Sequence, residues 1–207
     1  MSNRRGVACL WLAVVGLNVV LVSGLFGESS QALAQIVTLE KQLLAESPVD
    51  LAADAREKGD ASRGALLFHS PGLGCAKCHA GDAASPGLGP DLAAWETEVD
   101  DVFLVDSVLR PSKLIRDKFR SVMILTHEGR TVTGVPKQRD ADSITVQSGG
   151  LETDQVTIAS DDVDVEQKSD VSIMPAGQVN ALRRRQEFLD LTAYLIAIRD
   201  GGIETAR

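Results

Sequence analysis

Cys75-Ala76-Lys77-Cys78-His79 is the stretch on which the reading of this chain turns. Two cysteines two residues apart, followed at once by histidine, form an attachment sequence for c-type haem. The thiols of Cys75 and Cys78 would add across the two vinyl groups of one porphyrin. The imidazole of His79 would then sit under the iron as proximal ligand. Two other uses compete. A redox dithiol opens a helix after a strand, whereas Cys75 follows the loop Ser70-Pro71-Gly72-Leu73-Gly74. A zinc site needs four ligands, and His69, Cys75, Cys78 and His79 make four only if the adjacent Cys78 and His79 face one ion. Haem, one per chain and covalently held, is the preferred reading.

Working outward, the cysteine count agrees. Of three cysteines, Cys9 lies in the N-terminal segment, so Cys75 and Cys78 stand alone afterwards and do not form a disulfide framework. That segment has Arg4 and Arg5 followed by an uncharged run over 6–27, and Ala32-Leu33-Ala34 resembles a cleavage site. Residues 1–34 therefore read as a secretory signal or, since the run is long enough to span a bilayer, as a retained anchor. Both place the rest of the chain outside the cytoplasm, periplasmic or otherwise exported, with membrane contact only through an uncleaved N-terminal segment. The 207 residues include 21 Lys+Arg and 29 Asp+Glu; residues 1–34 hold two Arg and one Glu, leaving 19 basic and 28 acidic residues and a net charge near −9. Such acidity argues against a nucleic-acid partner.

Helical signals flank the motif. After a linker or short helix over 35–48, Val49 to Lys58 reads as a helix ended by Gly59, and Asp60 caps a second from Ala61 to His69. Gly64 and Phe68 share a face of it. Near the C-terminus, Arg185 to Arg199 carries Phe188, Leu191, Leu195 and Ile198 at helical spacing, with Tyr194 beside them. A glycine opposite a large side chain lets two such helices cross closely. Arg183-Arg184-Arg185 reads either as a docking patch or as a solvated helix start. Gly87-Leu88-Gly89-Pro90-Asp91-Leu92 is either a plain turn or a loop that approaches the porphyrin, with the Pro90 carbonyl accepting the His79 Nδ1 proton.

Candidate distal ligands are His69, Met123, His127 and Met174. His69 is cramped, ten residues before His79. Met123 and His127 fall in a strand, where Met123 reads as core. Met174, in Ser172-Ile173-Met174-Pro175, is held extended by Pro175 and is the preferred sixth ligand. His79 and Met174 are 95 positions apart. Between them, Val99 to Leu109 reads as a helix and Lys113 to Phe119 as a second, short one. Val122–Thr126, Thr131–Val135, Ser143–Gln147 and Gln155–Ile158 then read as strands, with an edge strand over Asp161 to Glu166. The expected organisation is a mainly α chain. In it a helical haem domain over 49–119 and 169–200 is interrupted by a small antiparallel sheet over 120–168 and followed by a tail at 201–207.

Gly59-Asp60, Arg63-Gly64, Leu67-Phe68, Cys75 to His79, Gly89-Pro90-Asp91-Leu92, Arg110-Pro111-Ser112, Gly129, Gly134, Ser172-Ile173-Met174-Pro175, Asp190-Leu191 and Tyr194-Leu195 together resemble a family of bacterial haem-binding domains related to class I cytochrome c. The resemblance spans about residues 50–199. It implies a cytochrome c-like helical fold with a β insertion, His/Met ligation and electron transfer. Such domains often accompany a dehydrogenase-like β-propeller, so here a separate exported dehydrogenase would be the electron donor and a respiratory protein the acceptor. The function expected is that of an electron carrier, not an enzyme. The alternative is a haem-based sensor or ligand-binding module in which Met174 is displaceable.

Overall fold

Thr38 opens the first helix with its own side chain, Oγ1 accepting the Lys41 amide at 3.3 Å. The computed structural model describes residues 37–79, 87–95, 98–148 and 154–202. The segment 1–34, read as a signal or anchor, lies outside them. Among the described residues no helix is long and apolar enough to cross a membrane.

The helices are α1 (Leu39–Leu44), α2 (Pro48–Lys58), α3 (Ala61–Phe68), α4 (Ala76–His79), α5 (Asp101–Leu109) and α6 (Arg185–Gly201). Local chemistry sets their starts. Pro48 occupies the first turn of α2, where its missing N–H costs nothing. Asp60 Oδ1 accepts the Arg63 amide at 3.0 Å and caps α3. Asp100 caps α5 through the Phe103 amide. Leu51, Phe68, Val105, Phe188 and Leu191 are buried in one helical core.

α3 crosses α6 at Gly64, where backbone meets backbone: a Cβ on Gly64 would stand 2.0 Å from Asp190 O. Asp190 locks this crossing. Its side chain is 3% exposed. It accepts Arg63 Nε at 2.8 Å, Arg63 Nη2, the Asp60 amide and Gln186 Nε2 at 2.9 Å each. Burial alone would raise the Asp190 carboxyl's pKa, but the bonds from Arg63, Gln186 and the Asp60 amide outweigh it and hold the pKa below the usual range. A carboxyl lowered by folding stabilises above its unfolded pKa, near 3.9, and that contribution is lost as pH falls through the lower folded value. Asp190→Asn should therefore cost about 2 kcal/mol at neutral pH. In urea unfolding its deficit against the parent should shrink below about pH 4; a deficit independent of pH would contradict this account.

The strands are β1 (Val122–Thr126), β2 (Thr131–Arg139), β3 (Ser143–Gln147), β4 (Gln155–Ala159) and β5 (Val163–Lys168). They form one antiparallel sheet in the order β4-β3-β2-β1-β5. Gly129, at φ +81°, turns β1 into β2. Val122, Ile124, Val132, Ile144, Val146 and Ile158 fill a second core beneath the sheet.

This sheet corrects the expected fold class. Of the described residues 43% are helical and 20% are strand. A five-stranded sheet with its own buried cluster makes the chain a mixed α and β protein, rather than a mainly α, cytochrome c-like helical domain with a small inserted sheet. The physical reason is that β2 is nine residues long and pairs on both sides, so the strands bury a core of their own. Other expectations also change. Lys113 to Phe119 is no helix beyond a 3-10 turn at Asp117–Phe119, because Lys113 Nζ turns back to Asp106 Oδ2 and Leu114 is exposed. A short 3-10 turn over Ser160–Asp162 precedes β5, which starts at Val163. Met123 is 38% exposed, not core, because Val122, Ile124 and Thr126 take the inward positions of β1. Arg185 is not a free docking charge: its Nη2 lies 2.7 Å from both Glu46 and Asp54 and ties α6 to the α1–α2 corner.

Candidate functional site

One helical turn collects three chemistry-bearing side chains. Gly74, at φ +68°, bends the chain into α4. The Cys78 and His79 amides then bond back to Cys75 O at 3.1 Å each. Positions i, i+3 and i+4 share a helical face, so Cys75, Cys78 and His79 all line one cleft. Both thiols are free. Burial pushes the Cys75 thiol pKa up, with Cys78 adding to the rise; burial also raises that of Cys78, against the pull of Lys77. A redox dithiol works through a lowered thiol pKa, so this environment does not suit one. Among the described residues no three His, Cys, Asp or Glu side chains gather to hold a metal ion by themselves.

His79 Nδ1 lies 3.0 Å from Pro90 O. A carbonyl only accepts, so Nδ1 carries the proton. In the neutral ring Nε2 then keeps its lone pair. Burial lowers the His79 pKa and favours that neutral ring, outweighing the Pro90 bond that opposes it. Gly89 lies against the imidazole: a Cβ there would stand 2.6 Å from His79 Cε1. The Gly89 amide also donates to Cys78 O at 3.0 Å. The Gly87–Leu92 loop thus serves as a bracket for the imidazole.

Met174 lines the same cleft. Its loop is tied on two sides. The Ser172 amide donates to Ser112 Oγ at 3.0 Å, and Gln178 Nε2 donates to Leu73 O at 2.9 Å, next to the cysteine turn. The Met174 amide donates to Ser172 Oγ at 3.1 Å. Among the described residues lining the cleft, Met174 is the one side chain besides Cys75, Cys78 and His79 with a sulfur or imidazole donor. The other distal candidates lie elsewhere. His69 sits at the end of α3, with Tyr194 OH 3.4 Å from Nε2. His127 is 60% exposed, 3.7 Å from Asp164. Met123 is on the sheet, facing solvent.

Phe68, Leu92, Leu104, Val108, Leu191 and Leu195 wall the cleft, which holds about 1320 Å³ of empty space, counting the part open to solvent. Trp95 Nε1 is buried at this cleft and has no acceptor among the described residues. The Arg116 guanidinium lies 5.3 Å from the Trp95 ring centroid and 5.5 Å from that of Phe103. A buried donor without an acceptor costs free energy, so an occupant that brings an acceptor would be favoured there. Nothing in the local pattern around Trp95 or Arg116 marks them as site residues. The one available signal is that Trp95 is the single tryptophan after the N-terminal segment.

The residues fit a covalently held haem. Two free thiols share a face with an imidazole whose Nδ1 is bonded to a carbonyl, a thioether lines the same apolar cleft, and a buried indole N–H has no acceptor among the described residues. Compared with models of known protein families and with curated proteins, the chain matches none.

Proposed function

We propose that this protein is an exported monohaem c-type cytochrome. It passes single electrons between a dehydrogenase-type donor and a respiratory acceptor, each a separate protein. The observation that carries the reading is the convergence of Cys75, Cys78, His79 and Met174 on one apolar cleft, with His79 Nδ1 committed to the Pro90 carbonyl.

Haem, when bound, supplies an iron centre that changes charge by one electron. The chain's residues do the rest. Cys75 and Cys78 provide the two thioether links, which keep the group attached outside the cytoplasm. His79 would hold the iron through Nε2, while Pro90 O orients the ring and raises its basicity by accepting the Nδ1–H hydrogen bond. Met174, which lines the same cleft, would hold the iron through its thioether, and a His/Met pair would raise the reduction potential. The apolar walls exclude water, which lowers the local dielectric. Trp95 and Arg116 offer an N–H and a positive charge to a carboxylate at the cleft. The uncharged run over 6–27 directs or anchors the chain at the membrane.

The test is an optical spectrum of the exported protein, oxidised and reduced. A carrier shows a sharp reduced α band and an oxidised thioether-to-iron charge-transfer band. Met174→Ala should abolish that second band and let the reduced protein bind carbon monoxide. If the parent protein itself binds carbon monoxide readily and is high-spin, the carrier reading fails and a sensor or ligand-binding role takes its place.

A further inference from the structure

Among the described residues the sheet makes a polar tie to the site's bracket that the ligand set does not explain. In β2 the pairing with β3 shifts register between Pro136 and Gln138, leaving Lys137 as the extra residue of a bulge. A bulge bends a strand and re-aims the side chain it carries. Lys137 Nζ donates to Gly87 O at 2.8 Å. Burial pushes the Lys137 ammonium's pKa down, and no carboxylate among the described residues pairs with it. A half-buried ammonium is costly unless it is hydrogen-bonded, so the Gly87 carbonyl is the natural anchor for this side chain.

Gly87 opens the bracket. Two residues later Gly89 lies against the His79 ring and bonds Cys78 O, and Pro90 O takes the Nδ1 proton. One end of this short segment is held by the cysteine turn and the other by the sheet. We infer that Lys137 is a positioning residue for His79: the β2 bulge aims it at the Gly87 carbonyl and so fixes the loop that orients the imidazole. This rests on the proposed haem reading and assigns a role to the sheet, which that reading leaves without one. Lys137 touches neither the thiols nor the imidazole and acts through Gly87 to Pro90.

The experiment compares the full, haem-loaded protein with Lys137→Met and Lys137→Arg by amide hydrogen exchange and by NMR of the His79 Nδ1 proton. Lys137→Met should speed exchange at the Gly89 amide and at His79 Nδ1–H about tenfold or more, while amides of α3 and α6 stay as in the parent. Lys137→Arg, which keeps a cationic donor, should restore most of the protection. If Gly89 and His79 are indifferent to Lys137→Met, the inference is overturned. It is overturned equally if both variants lose protection only in β2 and β3, since Lys137 would then serve the sheet alone. A parent protein that carries no covalent haem would sink the carrier reading instead, so the two failures are distinguishable.

Discussion

Alanine at Gly64 should lower the stability of the protein by about 3 kcal/mol or more, at the upper end of what overpacking costs. On propensity alone the change should help, since alanine in a helix interior is favoured over glycine by about 1 kcal/mol. The crossing of α3 and α6 reverses that sign. The added Cβ would lie 2.0 Å from Asp190 O and 2.7 Å from Tyr194 Cβ. The first obstacle is backbone, which cannot rotate away, so the helices must separate. Separation would also loosen the Asp190 bonds to Arg63 and the Asp60 amide and the tilted ring contact of Phe68 with Tyr194, whose centroids are 5.3 Å apart. Phe68 lines the cleft, so the damage reaches the site. Urea unfolding measures the loss. Leu66→Ala, at a position 76% exposed on the same helix, is the control and should change stability by about 0.5 kcal/mol or less. A Gly64→Ala loss no larger than that of the control would show that the crossing is not as tight as the geometry states.

Removing both thiols, Cys75→Ala with Cys78→Ala, should abolish covalent haem altogether. The parent protein should keep its haem colour through denaturation and acidified-solvent extraction; the double variant should release all of it or never acquire any. Each single variant should retain one thioether link and a shifted α band. The expectation follows from the turn that opens at Cys75 and runs through α4, which puts both thiols and His79 on one face. Burial pushes both thiol pKa values up, the opposite of what a thiolate nucleophile or a dithiol couple uses. Haem retained by the double variant, or absent from the parent, would remove the covalent assignment.

The site was legible to different depths. Cys75, Cys78 and His79 declare themselves because their spacing is the chemistry. Asp60 and the start of α3 are readable because a cap acts across three residues. β1 is readable as a strand from its apolar content, but its inward face is not: Met123, expected in the core, falls on an outward position. By contrast, Asp190 lies 127 positions from Arg63 and Lys137 lies 50 from Gly87. No local pattern reports either pairing. Trp95 and Arg116 become site residues only because the chain folds the indole and the guanidinium against the cleft.

Local patterns in the sequence were enough to centre the reading on the Cys75–His79 motif, to place the Asp60 cap and the Gly59 helix end, and to mark the strands by their Val, Ile and Thr content. Each of these is decided by residues within a few positions of one another. Only the tertiary structure decided that the strands build a five-stranded sheet with its own core, that β5 returns to pair with β1, and that a bulge in β2 reaches the loop behind His79. Those outcomes depend on which buried surfaces and which lone donors meet across long separations, and hydrophobic burial is non-directional, so periodicity alone does not choose among the partners.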